Sequence, residues 1–176
     1  MRRKAVLYDE NTLRRSIMRI AHEITEKNQE ADTICLVGVK TRGIPIAKRL
    51  AECIYRIEGV HTPIGVLDIT GFRDDIEDSK QHKRFELQLP FSVENKNVIL
   101  VDDVIYTGRT VRAALDCLVY HGRPMTVQLA VLVDRGHREL PIRPDYVGKN
   151  IPTSKNELIK VSLTETDGKD CIELFE

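Results

Sequence analysis

The hydrophobic positions of this chain change their period several times along its length. Between residues 9 and 28 they recur every three or four positions, which predicts an amphipathic helix with Asn11 or Thr12 as its cap. Residues 33–59 and 98–122 then repeat one order: a short apolar strand, a polar loop with glycine, and a helical pattern that stops at a glycine. The chain therefore contains at least two strand–loop–helix units.

Five further strands are predicted from short apolar runs, at residues 63–70, 126–133, 145–148, 158–163 and 171–174. Residues 71–85 are polar and charged without a clear period, which predicts a mobile surface loop. Near-continuous apolar strands that alternate with helices are typical of an α/β fold, in which a mostly parallel sheet is covered on both faces. Ligands of such folds bind at the carboxyl ends of the strands.

Length and composition narrow the class of protein. With 176 residues the chain fits one domain, and 27 basic against 27 acidic residues give no net charge, so the basic excess typical of a nucleic-acid binder is missing. The longest apolar run, Leu129–Val133, is too short to span a bilayer, and no secretory signal is readable, so we expect a cytoplasmic protein without a membrane partner. The scattered cysteines indicate neither a zinc site nor a disulfide framework: Cys35, Cys53, Cys117 and Cys171.

The segment Val98–Thr110 carries the strongest candidate chemistry. Asp102 and Asp103 follow an apolar strand, and their carboxylates suit sugar hydroxyls or the water shell of Mg²⁺. Thr107, Gly108 and the residues up to Thr110 come at the start of a helix, where backbone N–H groups favour a phosphate. A plain strand–helix turn with an aspartate cap is the alternative, but both halves together predict a ribose 5-phosphate site.

A second candidate anion site is the loop at residues 38–43. It has the G-x-x-x-x-G spacing of a nucleotide-binding P-loop, but Ile44 and Pro45 stand where lysine and a hydroxyl residue are required. Two cations, a hydroxyl and a flexible glycine at the end of a strand still favour an anion.

The segment Val98–Thr110 resembles the phosphoribosyl pyrophosphate (PRPP) signature of type I phosphoribosyltransferases. The resemblance implies a mostly parallel sheet flanked by helices with a small hood, and transfer of a phosphoribosyl group from PRPP bound with Mg²⁺. It implies that Thr41 and Arg42 hold the pyrophosphate, and that residues 71–85 form a closing loop. The catalytic residues implied are Asp102, Asp103 and Arg42. The residues implied to bind PRPP or the product are Thr41, Arg42, Asp102, Asp103, Val104, Ile105, Tyr106, Thr107, Gly108, Arg109, Thr110 and Arg73, with Lys83 or Arg84 as further contacts of pyrophosphate.

The segment Val133–Lys155, with residues 41–43 and 68–70, resembles more closely the bacterial regulators of pyrimidine operon attenuation that are also uracil phosphoribosyltransferases. This likeness implies one phosphoribosyltransferase domain, with a core of about residues 1–132 and hood and C-terminal segments of about residues 133–176. It implies that uracil and PRPP give UMP and diphosphate, in a homodimer or a higher oligomer.

The same resemblance implies a nucleobase site in the hood, formed by Asp134, Arg135 and Val161. Tyr146 and Val147 are further candidates, although burial as ordinary strand residues explains them equally well. Purine-using relatives carry an acid just before Thr-Gly, where this chain has Tyr106, which argues against a purine and leaves the general base without a named residue.

Basic residues gather in two places in spite of the zero net charge. Arg15, Arg19 and His22 share one face of the first helix with Lys27 a turn further on, which is also common for a solvated face. The resemblance implies that these places bind a stem-loop in the messenger RNA leader, in a state that UMP favours. The RNA-binding residues implied are Arg15, Arg19, His22, Lys27, His137, Arg138, Arg143 and Lys149.

Two departures from the family pattern fall on this face: Lys27 stands where arginine is typical, and Met18 where threonine is common. The alternatives are a uracil phosphoribosyltransferase without an RNA role and an RNA-binding regulator with vestigial catalysis.

Overall fold

The computed structural model describes residues 1–69 and 86–176. The predicted loop at residues 71–85, with Arg73, Lys83 and Arg84, lies outside the described residues. The elements follow in the order β1 (Arg3–Tyr8), α1 (Glu10–Lys27), a 3₁₀ turn (Ala31–Thr33), β2 (Ile34–Val39), α2 (Gly43–Glu58), β3 (Ile64–Asp68), β4 (Glu86–Gln88), β5 (Asn97–Ile105), α3 (Arg109–His121), β6 (Thr126–Asp134), β7 (Tyr146–Asn150), β8 (Leu158–Ser162), α4 (Thr164–Asp167) and β9 (Cys171–Phe175). No helix in this part of the chain has both the length and the apolar character needed to cross a membrane.

Two sheets organise the fold. The larger has six strands in the order β4-β3-β2-β5-β6-β7, and all are parallel except β4, which runs antiparallel to β3. The smaller has three antiparallel strands in the order β1-β9-β8. The prediction of a mostly parallel sheet is therefore confirmed.

Apolar residues on both sides of β2 explain why helices cover both faces of the larger sheet. Ile34 and Leu36 belong to the core that contains the buried sides of α1 and α2, whereas Cys35 and Val37 belong to the core that contains the buried side of α3. Successive side chains of a strand point to opposite faces, so a strand buried on both faces is apolar at every position.

Three local predictions need correction. The cap of α1 is Asp9, whose side chain accepts a hydrogen bond of 2.8 Å from the Thr12 N–H, and neither Asn11 nor Thr12 is the cap. β5 does not end at the apolar run but continues through both acidic residues to Ile105. β1 was not predicted, because its partner is the C-terminal strand β9, with Arg3 opposite Phe175, and three of its own six residues are exposed.

The ends of the chain thus meet in the smaller sheet, whereas β7 lies in the larger one. The division into a core of residues 1–132 and a hood of residues 133–176 does not follow the boundary between the two sheets, and it stays a prediction.

Candidate active site

A cavity of about 760 Å³ opens where β2 and β5 end. Three stretches that the sequence singles out contribute to its wall: residues 39–42 after β2, residues 102–110 at the end of β5 and the start of α3, and Arg135 after β6. β2, β5 and β6 are parallel neighbours, so their carboxyl ends lie at one edge of the sheet. The structure brings Thr41, Arg42 and the whole predicted PRPP segment from Asp102 to Thr110 together.

Glycine allows the loop after β2 to pack directly on β5. A Cβ atom at Gly43 would lie 2.3 Å from the carbonyl oxygen of Val101, and one at Gly38 would lie 2.7 Å from the Cα of Ile44. The Lys40 side chain is paired with Asp68 at 2.7 Å, and the peptide bond between Lys40 and Thr41 is cis. The close approach of Gly43 to Val101 places this loop beside the acidic end of β5.

The two carboxylates are held by the backbone that follows them. Asp102 Oδ1 accepts the Asp103 N–H at 2.9 Å, and Asp103 Oδ1 accepts the Val104 N–H at 2.8 Å. Burial raises the pKa of the Asp103 carboxyl, whereas the Val104 N–H, Asp102 and the positive charge of Arg42 lower it. Such partly desolvated carboxylates suit hydroxyl donors or a cation.

Gly108 shapes the phosphate end of the segment. It caps α3 with a φ of +92°, a left-handed conformation that favours glycine. The Thr107 Oγ1 accepts the Arg109 N–H at 3.4 Å. Thr107 and Gly108 precede a helix of 13 residues. The first N–H groups of a helix point out of its amino end, where they favour an anion.

The loop between β6 and β7 holds the backbone of the PRPP segment by hydrogen bonds. This contact was not predicted from the sequence. The N–H groups of Glu139 and Leu140 both donate to the Thr107 carbonyl, at 3.0 and 3.2 Å. Arg138 donates to the Tyr106 carbonyl at 2.9 Å and is also paired with Asp134. The side chains of Arg138 and Asp134 are only 19% and 17% exposed, so this ion pair stabilises the conformation of the loop and leaves little of either side chain at the surface. The four-residue spacing predicts an ion pair only on a helix, and neither residue lies in one, so no sequence signal indicated this pair.

Tyr106 and Arg135 form a flat part of the cavity wall. The Arg135 guanidinium carbon lies 4.1 Å from the centre of the Tyr106 ring, and its nitrogens donate to the carbonyls of Ser154 and Glu157. The His137 ring meets Tyr106 edge-on at 6.0 Å and contacts the Thr153 carbonyl at 2.6 Å. An aromatic ring backed by a cation offers a stacking surface for a nucleobase.

Four residues predicted near the base have no wall position in this cavity. Among the described residues, those lining the cavity do not include Asp134, Tyr146, Val147 or Val161. Tyr146 is 3% exposed, hydrogen-bonded to Asn28 and Gln128, and burial raises its pKa to about 12. Of the two explanations for Tyr146, the structure favours an ordinary buried strand residue.

The basic residues of α1 lie along β7, the edge strand of the larger sheet. Arg19 donates to the carbonyls of Val147 and Gly148 at 2.9 and 2.7 Å, and Lys27 is paired with Asp145 at 2.6 Å. We give the name basic edge to six exposed basic residues: Arg15, Arg19, His22, Lys27, Arg143 and Lys149. Arg143 and Lys149 flank Asp145, the partner of Lys27, along the chain. Arg138 and His137 instead contact Tyr106, which lines the cavity, and neither is among the described residues that line it themselves.

Residues 6–166 match the family model described as the phosphoribosyl transferase domain. The chain belongs to the phosphoribosyltransferase family. It is 58% identical over 174 residues to the "Bifunctional protein PyrR" of Deinococcus radiodurans, a match that covers 98% of this chain and 95% of that protein. To the protein of the same name from Bacillus mycoides it is 56% identical over 179 residues, covering 100% of this chain and 99% of that protein.

Solved structures of other phosphoribosyltransferases have the same fold. A crystal structure of hypoxanthine phosphoribosyltransferase from Trypanosoma cruzi aligns with a TM-score of 0.76 at 20% identity, covering 98% of this chain and 96% of that one. The enzyme from Staphylococcus aureus aligns with a TM-score of 0.74 at 22% identity, covering 99% of this chain and 92% of that one. The expected type I phosphoribosyltransferase fold is thereby confirmed.

Proposed function

We propose that this phosphoribosyltransferase transfers the phosphoribosyl group of PRPP to uracil, and that it also binds the leader of pyrimidine operon messenger RNA in a UMP-dependent way. The observation that carries the catalytic half is the single cavity shared by Thr41 and Arg42, the two carboxylates, and the phosphate loop at residues 106–110. The near full-length identity to proteins named bifunctional supports the pairing of two activities.

In the proposed reaction the bond between the ribose C1′ and the pyrophosphate oxygen breaks, a bond from C1′ to uracil N1 forms, and the proton of N1 passes to solvent. Positive charge develops on the sugar while negative charge develops on the leaving pyrophosphate. Asp102 and Asp103 hold the ribose hydroxyls and stabilise the cationic sugar, and residues 107–110 hold the 5-phosphate. Thr41 and Arg42 bind the pyrophosphate as it leaves. Positioning and charge stabilisation thus provide most of the catalysis.

Phosphoribosyltransferases generally use Mg²⁺ together with PRPP. Within residues 1–69 and 86–176 no three histidine, cysteine or acidic side chains are grouped as a metal site. In the proposed function Mg²⁺ enters with PRPP as part of the substrate, bound mostly by oxygens of PRPP and by water, with Asp102 and Asp103 nearby. Carboxylate oxygens are the protein ligands that Mg²⁺ prefers.

Uracil is the base that best fits the wall beside the phosphate loop. Tyr106 lines the cavity where purine-using relatives carry an acid, and the Arg135 guanidinium, which also lines the cavity, stacks on its ring. We propose that the base stacks on Tyr106 and that backbone groups around Arg135 read its donor and acceptor edge. Roles of Asp134 and Val161 at the base stay predictions.

The RNA half of the proposal rests on the basic edge. Its exposed side chains can contact phosphates, while Glu23 and Asp145 offset part of the charge of Arg19 and Lys27. The loop between β6 and β7 contacts the cavity at Arg135 and reaches the basic edge at Arg143, which gives UMP a route to influence RNA. A symmetric homodimer in the cytoplasm, which would present two such edges to one stem-loop, is part of this proposal.

Replacing Arg143 by alanine is expected to separate the two functions. Arg143 is exposed at the basic edge, so R143A should weaken RNA binding about tenfold at moderate salt and reduce its salt dependence, with unchanged UMP formation. R138A should instead lower UMP formation, because Arg138 holds the Tyr106 carbonyl. Filter binding with the operon leader RNA at several salt concentrations and a UMP assay measure both.

Arg112→Ala, at a side chain 68% exposed on α3, is the matched control and should bind RNA as the wild type does. If R143A also retained wild-type affinity at every salt concentration, the assignment of the basic edge would be wrong.

The regulatory half is tested by titrating the RNA with and without saturating UMP. UMP should tighten RNA binding, and RNA should tighten UMP binding by the same factor. RNA affinity that ignores UMP would contradict the regulatory proposal. If the protein did not bind RNA, it would be a uracil phosphoribosyltransferase without an RNA role. If it bound RNA but formed no UMP, it would be a regulator with vestigial catalysis.

A further inference from the structure

Arg42 is held by a residue from the far end of the chain. Its Nη2 donates to Asp167 Oδ1 at 2.9 Å, and its Nε donates to Asp167 Oδ2 at 3.3 Å. Arg42 lines the cavity, whereas Asp167, at the end of α4, is not one of the described residues that do. The Asp167 carboxylate therefore binds the guanidinium without lining the cavity itself. The two hydrogen bonds use Nε and Nη2 of Arg42 and leave Nη1 out.

Asp167 is itself fixed by its own turn. Its Oδ2 accepts the Thr166 hydroxyl at 2.7 Å and the Leu163 N–H at 3.0 Å. The Thr166 hydroxyl, the Leu163 N–H and Arg42 lower the pKa of Asp167 to about 2, so the carboxylate is ionised throughout the neutral range. Its position does not depend on Arg42 alone, and it can serve as a fixed anchor for that side chain.

Arg49 of α2 forms two further ion pairs with the same part of the chain as Asp167. It lies about two turns after Arg42, the cap of α2, and contacts Glu165 of α4 and Asp170, which follows α4, each at 2.6 Å. Neither Arg49 nor these two partners are among the described residues that line the cavity. Arg49 thus secures the docking of α4 on α2. The contact of Asp167 with Arg42 in addition fixes a side chain that lines the cavity.

We propose that Asp167 is a positioning residue for pyrophosphate recognition: it orients Arg42 so that the remaining N–H groups of the guanidinium meet the pyrophosphate of PRPP. A free arginine loses much rotamer freedom when it binds a ligand, and one already oriented loses less. Planar, two-point contact between arginine and a carboxylate is well suited to this orientation. The inference rests on the proposed function, since it requires Arg42 to contact pyrophosphate.

The test is the steady-state kinetics of Asp167→Asn. D167N keeps an oxygen for the Leu163 N–H but removes the charge that orients Arg42. We expect the KM for PRPP to rise about tenfold, as for the loss of a charge-assisted hydrogen bond, with less than about a twofold change in the KM for uracil. Glu165→Gln, which weakens only the Arg49 pair, is the matched control and should change both KM values less than about twofold.

A double-mutant cycle with Arg42→Ala separates positioning from a structural role. If Asp167 acts through Arg42, adding D167N to R42A should leave the KM for PRPP unchanged from R42A alone. Thermal unfolding of each variant reports the effect on stability. Should D167N not fold, Asp167→Ser, which also keeps an oxygen for the Leu163 N–H, replaces it in the same cycle.

Each failure has its own signature. If D167N raises the KM for PRPP no more than E165Q does, or raises it equally with and without Arg42, the positioning role is wrong while the proposed function stands. If the wild type forms no UMP from uracil and PRPP, the proposed function itself fails.

Discussion

Asp102→Asn is expected to lower kcat/KM for PRPP by about a hundredfold, the loss typical of one electrostatic group that stabilises a transition state. Asp102 lies at the cavity where β5 ends, and only 9% of it is exposed. An amide has nearly the same shape but no charge, so it can still accept the Asp103 N–H while it no longer stabilises the cationic sugar or attracts Mg²⁺. Initial rates of UMP formation over a range of PRPP concentrations measure the effect.

Asp116→Asn is the matched control for this change. Asp116 lies on the exposed side of α3 with its side chain 62% exposed, and its partner is Arg112 at 3.7 Å. D116N should retain wild-type turnover. Equal rates for D102N and D116N would show that the end of β5 is not the reaction centre.

Gly43→Ala is expected to have the second-largest effect, on stability and on PRPP binding together. The new methyl group would lie 2.3 Å from the Val101 carbonyl oxygen and 3.2 Å from the carbonyl carbon, so the start of α2 must move away from β5. Overpacking against backbone costs about 2–4 kcal/mol of unfolding free energy, or about 10 °C in Tm for a domain of this size. The same movement shifts Thr41 and Arg42, so the KM for PRPP should rise.

Gly59→Ala separates this collision from ordinary backbone strain. Gly59 ends α2 with a φ of +71°, and nothing lies within 4 Å of a Cβ atom there. G59A should cost only about 1 kcal/mol, with an unchanged KM for PRPP. Calorimetry that gave G43A and G59A the same Tm would contradict the close packing of the loop on β5.

Local sequence was enough to predict the elements that carry the proposed phosphate and ribose sites. The apolar run of β5, the acidic pair and Gly108 adjoin one another, so pattern and turn chemistry suffice for the strand, the loop and the start of α3. The parallel order of β2, β5 and β6 then brings the loop at residues 40–43 to the same edge. The first step uses neighbouring residues alone, whereas the second depends on the order of the strands, which local patterns do not predict.

Contacts between distant parts of the chain were out of reach of such patterns. The pairing of β1 with β9 joins the two ends of the chain, and the hydrogen bonds of Arg42 with Asp167 span 125 residues. Arg138 resembles the other basic residues in sequence, but the folding of the loop between β6 and β7 directs its guanidinium to the Tyr106 carbonyl rather than to solvent. Charge and spacing alone could not distinguish it from Arg143.

The most direct test of the central claim is an assay of the purified wild-type protein with Mg²⁺, PRPP and either uracil or hypoxanthine. We expect UMP and pyrophosphate in equal amounts with uracil, no nucleotide with hypoxanthine, and about a hundredfold lower efficiency for D102N. Nucleotide formed from hypoxanthine in preference to uracil, or no transfer to uracil at all, would contradict the assignment of this cavity as the site of uracil phosphoribosyl transfer.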